Sequence, residues 1–170
     1  MSTLAILILL LGNTGSPETS PPRLRVLLRE NTKEGKLSVT HRLHLISPEQ
    51  NRTLRTLPPF SEKSIECHKG QIHLGHIKIP LGEILLVPEW SGALQWEGKV
   101  YRGSLLLRPT SNSRFHVLNI VNLEDYVAGV LPTEMGSRAP LEALKAQAIC
   151  ARTYAITQMK ERAQSGFDAY

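Results

Sequence analysis

Residues 114–135 read RFHVLNIVNLEDYVAGVLPTEM, and residues 140–155 read PLEALKAQAICARTYA. The first stretch begins with β-branched and aromatic residues, which predict a strand over 114–121. The pattern becomes helical at Asn122, whose side chain can cap a short helix over 123–130 with acidic residues in its first turn. Pro132 is expected to end this helix. The change at Asn122 therefore predicts β structure before it and helical structure after it.

A longer helix is predicted over Pro140–Gln164, since proline is favourable in a first turn. Apolar residues recur along it at three- and four-residue steps, namely Leu141, Leu144, Ala148, Ala151, Ala155, Met159 and Ala163. Residues 147–158 carry Arg152 as their sole charge. We therefore expect this helix to be largely buried, with Gly166 as its terminator.

Residues 23–110 contain short β-rich runs separated by turn residues. Strands of ordinary length are predicted at 23–28, 36–40, 42–46, 71–79 and 83–87, with a hairpin over 92–108 that turns at Glu97-Gly98. Pro58-Pro59 interrupts the middle of this region. The predicted fold class is α+β: a small β-rich N-terminal part, followed by a strand, a short helix and a long, largely buried helix.

The apolar run from Leu4 to Leu11 is followed by a Pro/Ser-rich stretch. Eight residues are too few to span a bilayer, so no transmembrane helix is predicted. The run suits the apolar region of a secretory signal peptide, although no Lys or Arg precedes it. We expect residues 1–20 to be a signal peptide and linker and the protein to be exported to the cell envelope or periplasm. A misplaced start codon or a short buried strand is the open alternative.

The composition of the 170 residues is globular, with 41% hydrophobic residues and a net charge of +5. It excludes disordered, collagen-like and disulfide-framework proteins. Residues 1–110 carry the whole positive excess, with 14 basic and 9 acidic residues. These basic residues are scattered without interleaved aromatic residues, so an anionic surface is a candidate partner and nucleic acid is not.

The six histidines do not form a metal-binding pattern. Their close pairs are three residues apart, which places the members on opposite faces of a strand: His41 with His44, and His73 with His76. We therefore predict no metal site. The two cysteines, Cys67 and Cys150, are expected to be free buried thiols, and their pairing is left open.

The segment from Asn119 to Tyr154 resembles the stage II sporulation protein D (SpoIID) family. The family motif runs N-x-x-x-L-E-x-Y-x-x-G-V-x-P-x-E-M and then P-x-E-A-L-K-A-Q-A-x-A-x-R-T-Y, and the resemblance covers about residues 98–170. Family members continue with a C-x-T-x-H-C-Q element, which holds zinc in some of them, and with a G-x-G-H-G-x-G-M-S-Q motif. Neither motif occurs in this sequence. The resemblance therefore implies an incomplete N-terminal portion of a SpoIID-like catalytic core at 98–170 and no cofactor in this chain, whereas the β-rich domain at 21–97 is predicted from the strand pattern.

The resemblance also implies a function in the bacterial cell wall. The type member of the family is a lytic transglycosylase that cleaves peptidoglycan glycan strands, and relatives enhance cell-wall amidases. The catalytic acid of the family corresponds to Glu134. One carboxyl suffices for this reaction, because the muramyl 6-hydroxyl attacks in place of water. The acid needs an apolar setting that raises its pKa, and Glu134 lies between Leu131-Pro132 and Met135.

Four further side chains are expected to line the site or to brace Glu134: Tyr126, Gln147, Arg152 and Tyr154. Gln147, Cys150 and Tyr154 share one face of the long helix. Arg152 is expected to pair with Glu134 or with a saccharide hydroxyl. Glu124 and Asp125 are interpreted as first-turn residues that stabilise the short helix.

Two functions follow from these observations. The first is lytic transglycosylase-type cleavage of peptidoglycan glycan strands with Glu134 as acid and base. The alternative is a noncatalytic wall-binding module or amidase enhancer, in which the basic β half docks on anionic wall polymer or on a partner amidase.

Overall fold

The computed structural model describes residues 22–90, 92–110, 113–136, 138–162, 166 and 168. Within these residues the chain forms two six-stranded sheets and two helices. The strands are β1 (Arg23–Thr32), β2 (Glu34–Val39), β3 (Leu43–Ser47), β4 (Arg52–Leu57), β5 (Phe60–His68), β6 (Gln71–Leu74), β7 (Ile77–Lys78), β8 (Ile84–Pro88), β9 (Leu94–Trp96), β10 (Lys99–Tyr101), β11 (Ser104–Thr110) and β12 (Arg114–Asn122). The helices are α1 (Leu123–Met135) and α2 (Leu141–Glu161). The predicted α+β class is confirmed.

Both sheets are antiparallel and share one hydrophobic core. The first sheet has the order β1-β12-β11-β8-β3-β4, and the second has the order β10-β9-β2-β5-β6-β7. Leu43, Leu86 and Phe115 of the first sheet lie in one buried cluster with Ile65 and Trp96 of the second. The Trp96 and Phe115 rings meet edge to face, with centroids 6.2 Å apart.

The two helices cover a different part of the first sheet. Val121 of β12 lies in a second buried cluster with Leu123 and Val127 of α1 and with Ala151 and Ala155 of α2. Because side chains alternate along a strand, Val121 shares a face of β12 with Phe115 and Val117, which belong to the inter-sheet core. The helices and the second sheet therefore pack on the same face of β12, at different positions along the strand.

Helix α1 begins as the sequence predicts. The Asn122 side chain accepts a hydrogen bond of 2.8 Å from the backbone N–H of Asp125, and Glu124 and Asp125 occupy the first turn.

The predicted end of α1 is wrong, because the helix continues through Pro132 to Met135. The fixed φ of proline is compatible with a helix, and its missing N–H removes one hydrogen bond close to the end. The backbone N–H of Gly136 donates to the Pro132 carbonyl at 3.0 Å, and the left-handed φ of 74° at Gly136 ends the helix. Glu134 consequently lies in the last turn of α1.

The predicted start of α2 is confirmed, since Pro140 precedes its first residue. The expectation that α2 is largely buried is wrong for this structure. Of the residues of α2, all of which are described, Ala151 and Ala155 alone are buried, whereas Leu141 and Ile149 are 65% and 64% exposed. The physical reason is that α1 and the end of the first sheet contact one narrow, alanine-lined face of α2. The helix ends at Glu161, and the predicted extension over 163–164 lies outside the described residues.

The β region contains two strands that the sequence reading did not predict, β4 and β5, on either side of Pro58-Pro59. Strand β4 lies at an edge of the first sheet and is mostly exposed, so its sequence lacks an apolar pattern. The run predicted as one strand over 71–79 is the hairpin β6–β7, which turns at Gly75 with a φ of 55°.

The hairpin turn at Glu97-Gly98 is confirmed between β9 and β10, whereas β11 crosses to the first sheet. Strands β11 and β12 hydrogen-bond to β8 and β1 respectively. The first sheet therefore contains strands from both sides of the predicted boundary between residues 97 and 98. The predicted signal peptide and linker, residues 1–20, lie outside the described residues.

A set of hydrogen bonds joins Gly166 and Asp168 to the first sheet. The backbone N–H of Arg25 donates to the carboxylate of Asp168 at 2.8 Å, and the backbone N–H of Asp168 donates to the Arg25 carbonyl at 2.7 Å. The Arg25 guanidinium also contacts this carboxylate at 2.9 Å, and Asp168 is 3% exposed. Arg108 donates to the Gly166 carbonyl at 3.4 Å. We name these contacts the Arg25–Asp168 clasp.

Among the described residues, neither helix has the length and apolar character needed to cross a membrane.

Candidate functional site

The centre of the candidate site is a contact between the last turn of α1 and the second turn of α2. Gln147 Nε2 donates a hydrogen bond of 2.5 Å to Glu134 Oε2. The two helices form an antiparallel hairpin, so residues late in α1 face residues early in α2. The predicted bracing of Glu134 by Gln147 is present in the structure, and one carboxylate oxygen of Glu134 has no partner in this contact.

Tyr126 and Tyr154 extend this surface. Burial raises the pKa of the Tyr126 phenol, and the neighbouring Glu134 and Tyr154 side chains raise it further. Tyr126 lies two helical turns before Glu134, on the same side of α1. The structure thus brings together four of the five predicted residues, and we call Tyr126, Glu134, Gln147 and Tyr154 the Glu134 cluster.

Arg152 does not belong to this cluster, which corrects the expected pairing with Glu134. Its guanidinium donates two hydrogen bonds to the carboxylate of Glu124, at 2.7 and 2.6 Å. The antiparallel arrangement explains why Arg152 pairs with Glu124 and not with Glu134. Arg152 lies farther along α2 than Gln147 and therefore faces the first turn of α1. These hydrogen bonds lower the pKa of Glu124 and raise that of Arg152. Glu124 therefore links the helices in addition to stabilising the start of α1.

The surroundings of Glu134 are more open than its sequence neighbours indicate. Glu134, Pro132 and Met135 are all exposed, so these apolar neighbours do not enclose the carboxylate. Tyr154 is 57% exposed on the same surface. The cluster presents a carboxylate, an amide and two phenols to solvent, which together can hydrogen-bond to the hydroxyl and acetamido groups of a saccharide.

The cysteines are both free, as expected, but only Cys67 is buried, and burial raises the pKa of its thiol. Cys150 is exposed, which corrects the expectation of a buried thiol, because it lies on the uncovered side of α2. Within the described part of the chain, no group of three or more His, Cys, Asp or Glu side chains is placed to hold a metal ion.

Sequence reasoning assigned no role to Asn119, which organises the loop before β11. Its buried amide donates to the carbonyls of Arg102 at 2.8 Å and Ser104 at 3.0 Å. Arg102 in turn contacts Asp125 of α1 at 3.1 Å. The signal in the sequence is the first asparagine of the N-x-x-x-L-E motif, a polar residue inside the apolar run from Val117 to Val121.

Comparison with known proteins supports the family resemblance for the helical part of the chain. Residues 111–170 match the model of the SpoIID family, described as stage II sporulation protein. An uncharacterized protein of Brachyspira hyodysenteriae is 45% identical over 78 residues, which is 46% of this chain and 21% of that protein. The chain therefore spans about a fifth of the length of this curated relative. No solved structure matches the chain. All four residues of the Glu134 cluster lie within the segment that the SpoIID model matches.

Proposed function

We propose that this protein remodels bacterial cell wall by cleaving peptidoglycan glycan strands as a lytic transglycosylase, with Glu134 as the acid and then the base. The observation that carries the proposal is the hydrogen bond between Glu134 and Gln147 inside the SpoIID-matched segment. A carboxyl at the position of the family acid is oriented by a neutral amide, with phenols beside it.

The proposed reaction needs one transferable proton. Protonated Glu134 donates it to the glycosidic oxygen as the bond from that oxygen to the muramyl anomeric carbon breaks. The muramyl 6-hydroxyl then forms a bond to the anomeric carbon and gives its proton to the Glu134 carboxylate. The products are a new saccharide hydroxyl end and a 1,6-anhydromuramyl end, and Glu134 returns to its starting form without consuming water.

The other members of the cluster position the reacting groups in this proposal. The amide of Gln147 holds one oxygen of Glu134 and leaves the second oxygen for the glycosidic bond. A glycan strand lying on the exposed cluster would displace water from Glu134, and desolvation favours the uncharged, proton-donating form of a carboxyl. The proposed mechanism needs no metal or cofactor, and a peptidoglycan substrate would require the protein to act in the cell envelope or periplasm.

The first prediction tests this assignment with Glu134→Gln. The variant should lose cleavage of purified glycan strands by at least about 100-fold, because general acid–base catalysis contributes roughly 10²–10⁴-fold. The measurement is the release of 1,6-anhydromuramyl products, followed by mass spectrometry. Glu142→Gln is the matched control, since Glu142 is an exposed acid near the start of α2 that pairs with Lys145. Wild-type turnover by Glu134→Gln would refute the assignment.

The alternative function is a noncatalytic enhancer of a cell-wall amidase. The observation that favours it is the exposure of large apolar side chains on α2, with Leu141 65% and Ile149 64% exposed. An enhancer would form no anhydromuramyl products and would instead raise the rate of a purified amidase on intact peptidoglycan. Measuring both products with the same protein separates the two functions.

A further inference from the structure

A groove separate from the Glu134 cluster lies where the β8–β9 turn, the β10–β11 loop and the start of α1 meet. Its volume is about 550 Å³, and its lining includes Pro88, Trp90, Tyr101, Arg102, Ser104 and Asp125. We call it the Trp90 groove. Asp125 lies nine residues before Glu134 in α1, which corresponds to about 13 Å along the helix axis and to the opposite side of the helix.

Trp90 has two unfavourable properties at once. It is 86% exposed, and its φ of 58° lies in the left-handed region that bulky side chains rarely adopt. The described residues on either side of it are nevertheless hydrogen-bonded, since the Glu89 N–H donates to the Arg42 carbonyl at 2.8 Å and the Gly92 N–H donates to the Glu89 carbonyl at 3.1 Å. An exposed aromatic ring on a strained backbone between hydrogen-bonded residues is typical of a binding surface.

The part of the groove formed by the β10–β11 loop is also held by hydrogen bonds. The amide of Asn119 holds the carbonyls of Arg102 and Ser104. Gly103 between them has a φ of 78°, and a Cβ at this position would lie 2.3 Å from the Ile120 carbonyl oxygen. The loop therefore fits closely against β12 and fixes the position of Arg102.

Two charged side chains give this part of the groove its polar groups. Arg102 and Asp125 contact each other at 3.1 Å, and their side chains are 62% and 35% exposed. The Asn122 amide hydrogen-bonds to the other oxygen of Asp125. A guanidinium and a carboxylate held side by side can donate to and accept from adjacent hydroxyl groups of one ligand.

We propose that the Trp90 groove binds a pyranose unit of the glycan strand at a distance from the cleaved bond. The apolar C–H face of the sugar ring stacks on the indole of Trp90, and its hydroxyl or acetamido groups hydrogen-bond to Arg102 and Asp125. The rigid walls reduce the conformational entropy lost on binding. This proposal rests on the proposed function for the identity of the saccharide.

The chain contains two tryptophans, which provide a direct test. Trp96 is 1% exposed, so collisional quenching by acrylamide reports mainly on Trp90. Peptide-free glycan strands are titrated into the Glu134→Gln protein, so that cleavage does not interfere. We expect the strands to protect Trp90 from quenching and free stem peptides to leave it accessible. Protection by stem peptides alone would overturn the proposal.

Variants then test the ring itself by calorimetric titration with the same strands. Trp90→Ala should weaken binding at least about 10-fold, and Trp90→Phe should restore part of it, because stacking requires an aromatic face. Leu81→Ala is the control, since Leu81 is an apolar residue of comparable exposure, 69%, elsewhere on the surface. Equal affinities of Trp90→Ala and the parent would overturn the proposal.

The two proposals fail in different ways. If Glu134→Gln keeps full cleavage activity, the assignment of Glu134 fails, and the binding measurements on the Trp90 groove still stand. If the groove does not bind glycan, the loss of cleavage in Glu134→Gln is unaffected.

Discussion

Single residues of the α1–α2 hairpin determine which carboxylates are paired with a cation and which are not. Glu124 binds the guanidinium of Arg152 and is thereby held as a carboxylate. Glu134 is instead held by the neutral amide of Gln147. An acid that must gain and lose a proton is better oriented by an amide, because a guanidinium strongly favours the charged form.

The second prediction concerns Gln147→Leu. It should lower kcat for glycan cleavage about 10-fold with KM little changed, because losing the hydrogen bond that orients Glu134 should raise the barrier by about 1.4 kcal/mol, which is tenfold in rate. Thermal stability should change little, because this hydrogen bond lies at the exposed surface. Steady-state kinetics on glycan strands measure kcat and KM separately. Gln158→Leu is the control, because Gln158 on the same helix donates to Glu161 instead. An unchanged kcat in Gln147→Leu would show that the amide does not position Glu134.

The β10–β11 loop connects strand β12 of the first sheet with helix α1. Its carbonyls bind Asn119 of β12, and its Arg102 binds Asp125 of α1. Close approach to β12 is allowed only because residue 103 has no side chain.

The third prediction compares two glycines that share a left-handed backbone. Gly98→Ala, where no atom lies within 4 Å of the added Cβ, should cost about 1 kcal/mol from φ alone. Gly103→Ala adds a collision with the Ile120 carbonyl and should cost about 3 kcal/mol or more. Thermal unfolding should show melting points lowered by about 2–4 °C and about 6–12 °C, respectively. Equal losses would mean that the loop moves away from β12 at little cost.

For the whole molecule, the Arg25–Asp168 clasp links residues far apart in sequence. It satisfies backbone groups of β1, which is an edge strand of the first sheet among the described residues and has no strand on that side there. Asp168 is almost fully buried, so its carboxylate depends on Arg25 for the interactions that water would otherwise provide.

The fourth prediction is that Asp168→Ala lowers the free energy of unfolding by about 2–3 kcal/mol. The value is below that for a fully buried ion pair because the Arg25 side chain is 33% exposed. Urea unfolding measures the loss. Glu62→Ala removes an exposed ion pair with Lys36 and should change stability by less than about 1 kcal/mol. Similar effects of the two variants would contradict a stabilising role for the clasp.

Four features could be predicted from the sequence: the α+β class, the strand that leads into the Asn122 cap, the start of α2 and the SpoIID resemblance. These features depend on neighbours in the chain, because capping, turn formation and hydrophobic periodicity act over a few residues. Tyr126, Gln147 and Tyr154 could be proposed as neighbours of Glu134 from the motif that carries the resemblance, and helical spacing placed Gln147 and Tyr154 on one face of the long helix.

The way in which those faces meet depends on tertiary contacts and could not be predicted. The pairing of Arg152 with Glu124, the exposure of Glu134 and Ile149, and the loop held by Asn119 all depend on contacts between segments that are distant in sequence. Pro132 shows the same limit, because a local rule ends the helix there while the packing of α1 against β12 and α2 stabilises a helix that continues to Met135. Local propensities amount to tenths of a kcal/mol up to about 3 kcal/mol per residue, and burial of a helix face against its neighbours exceeds them in sum.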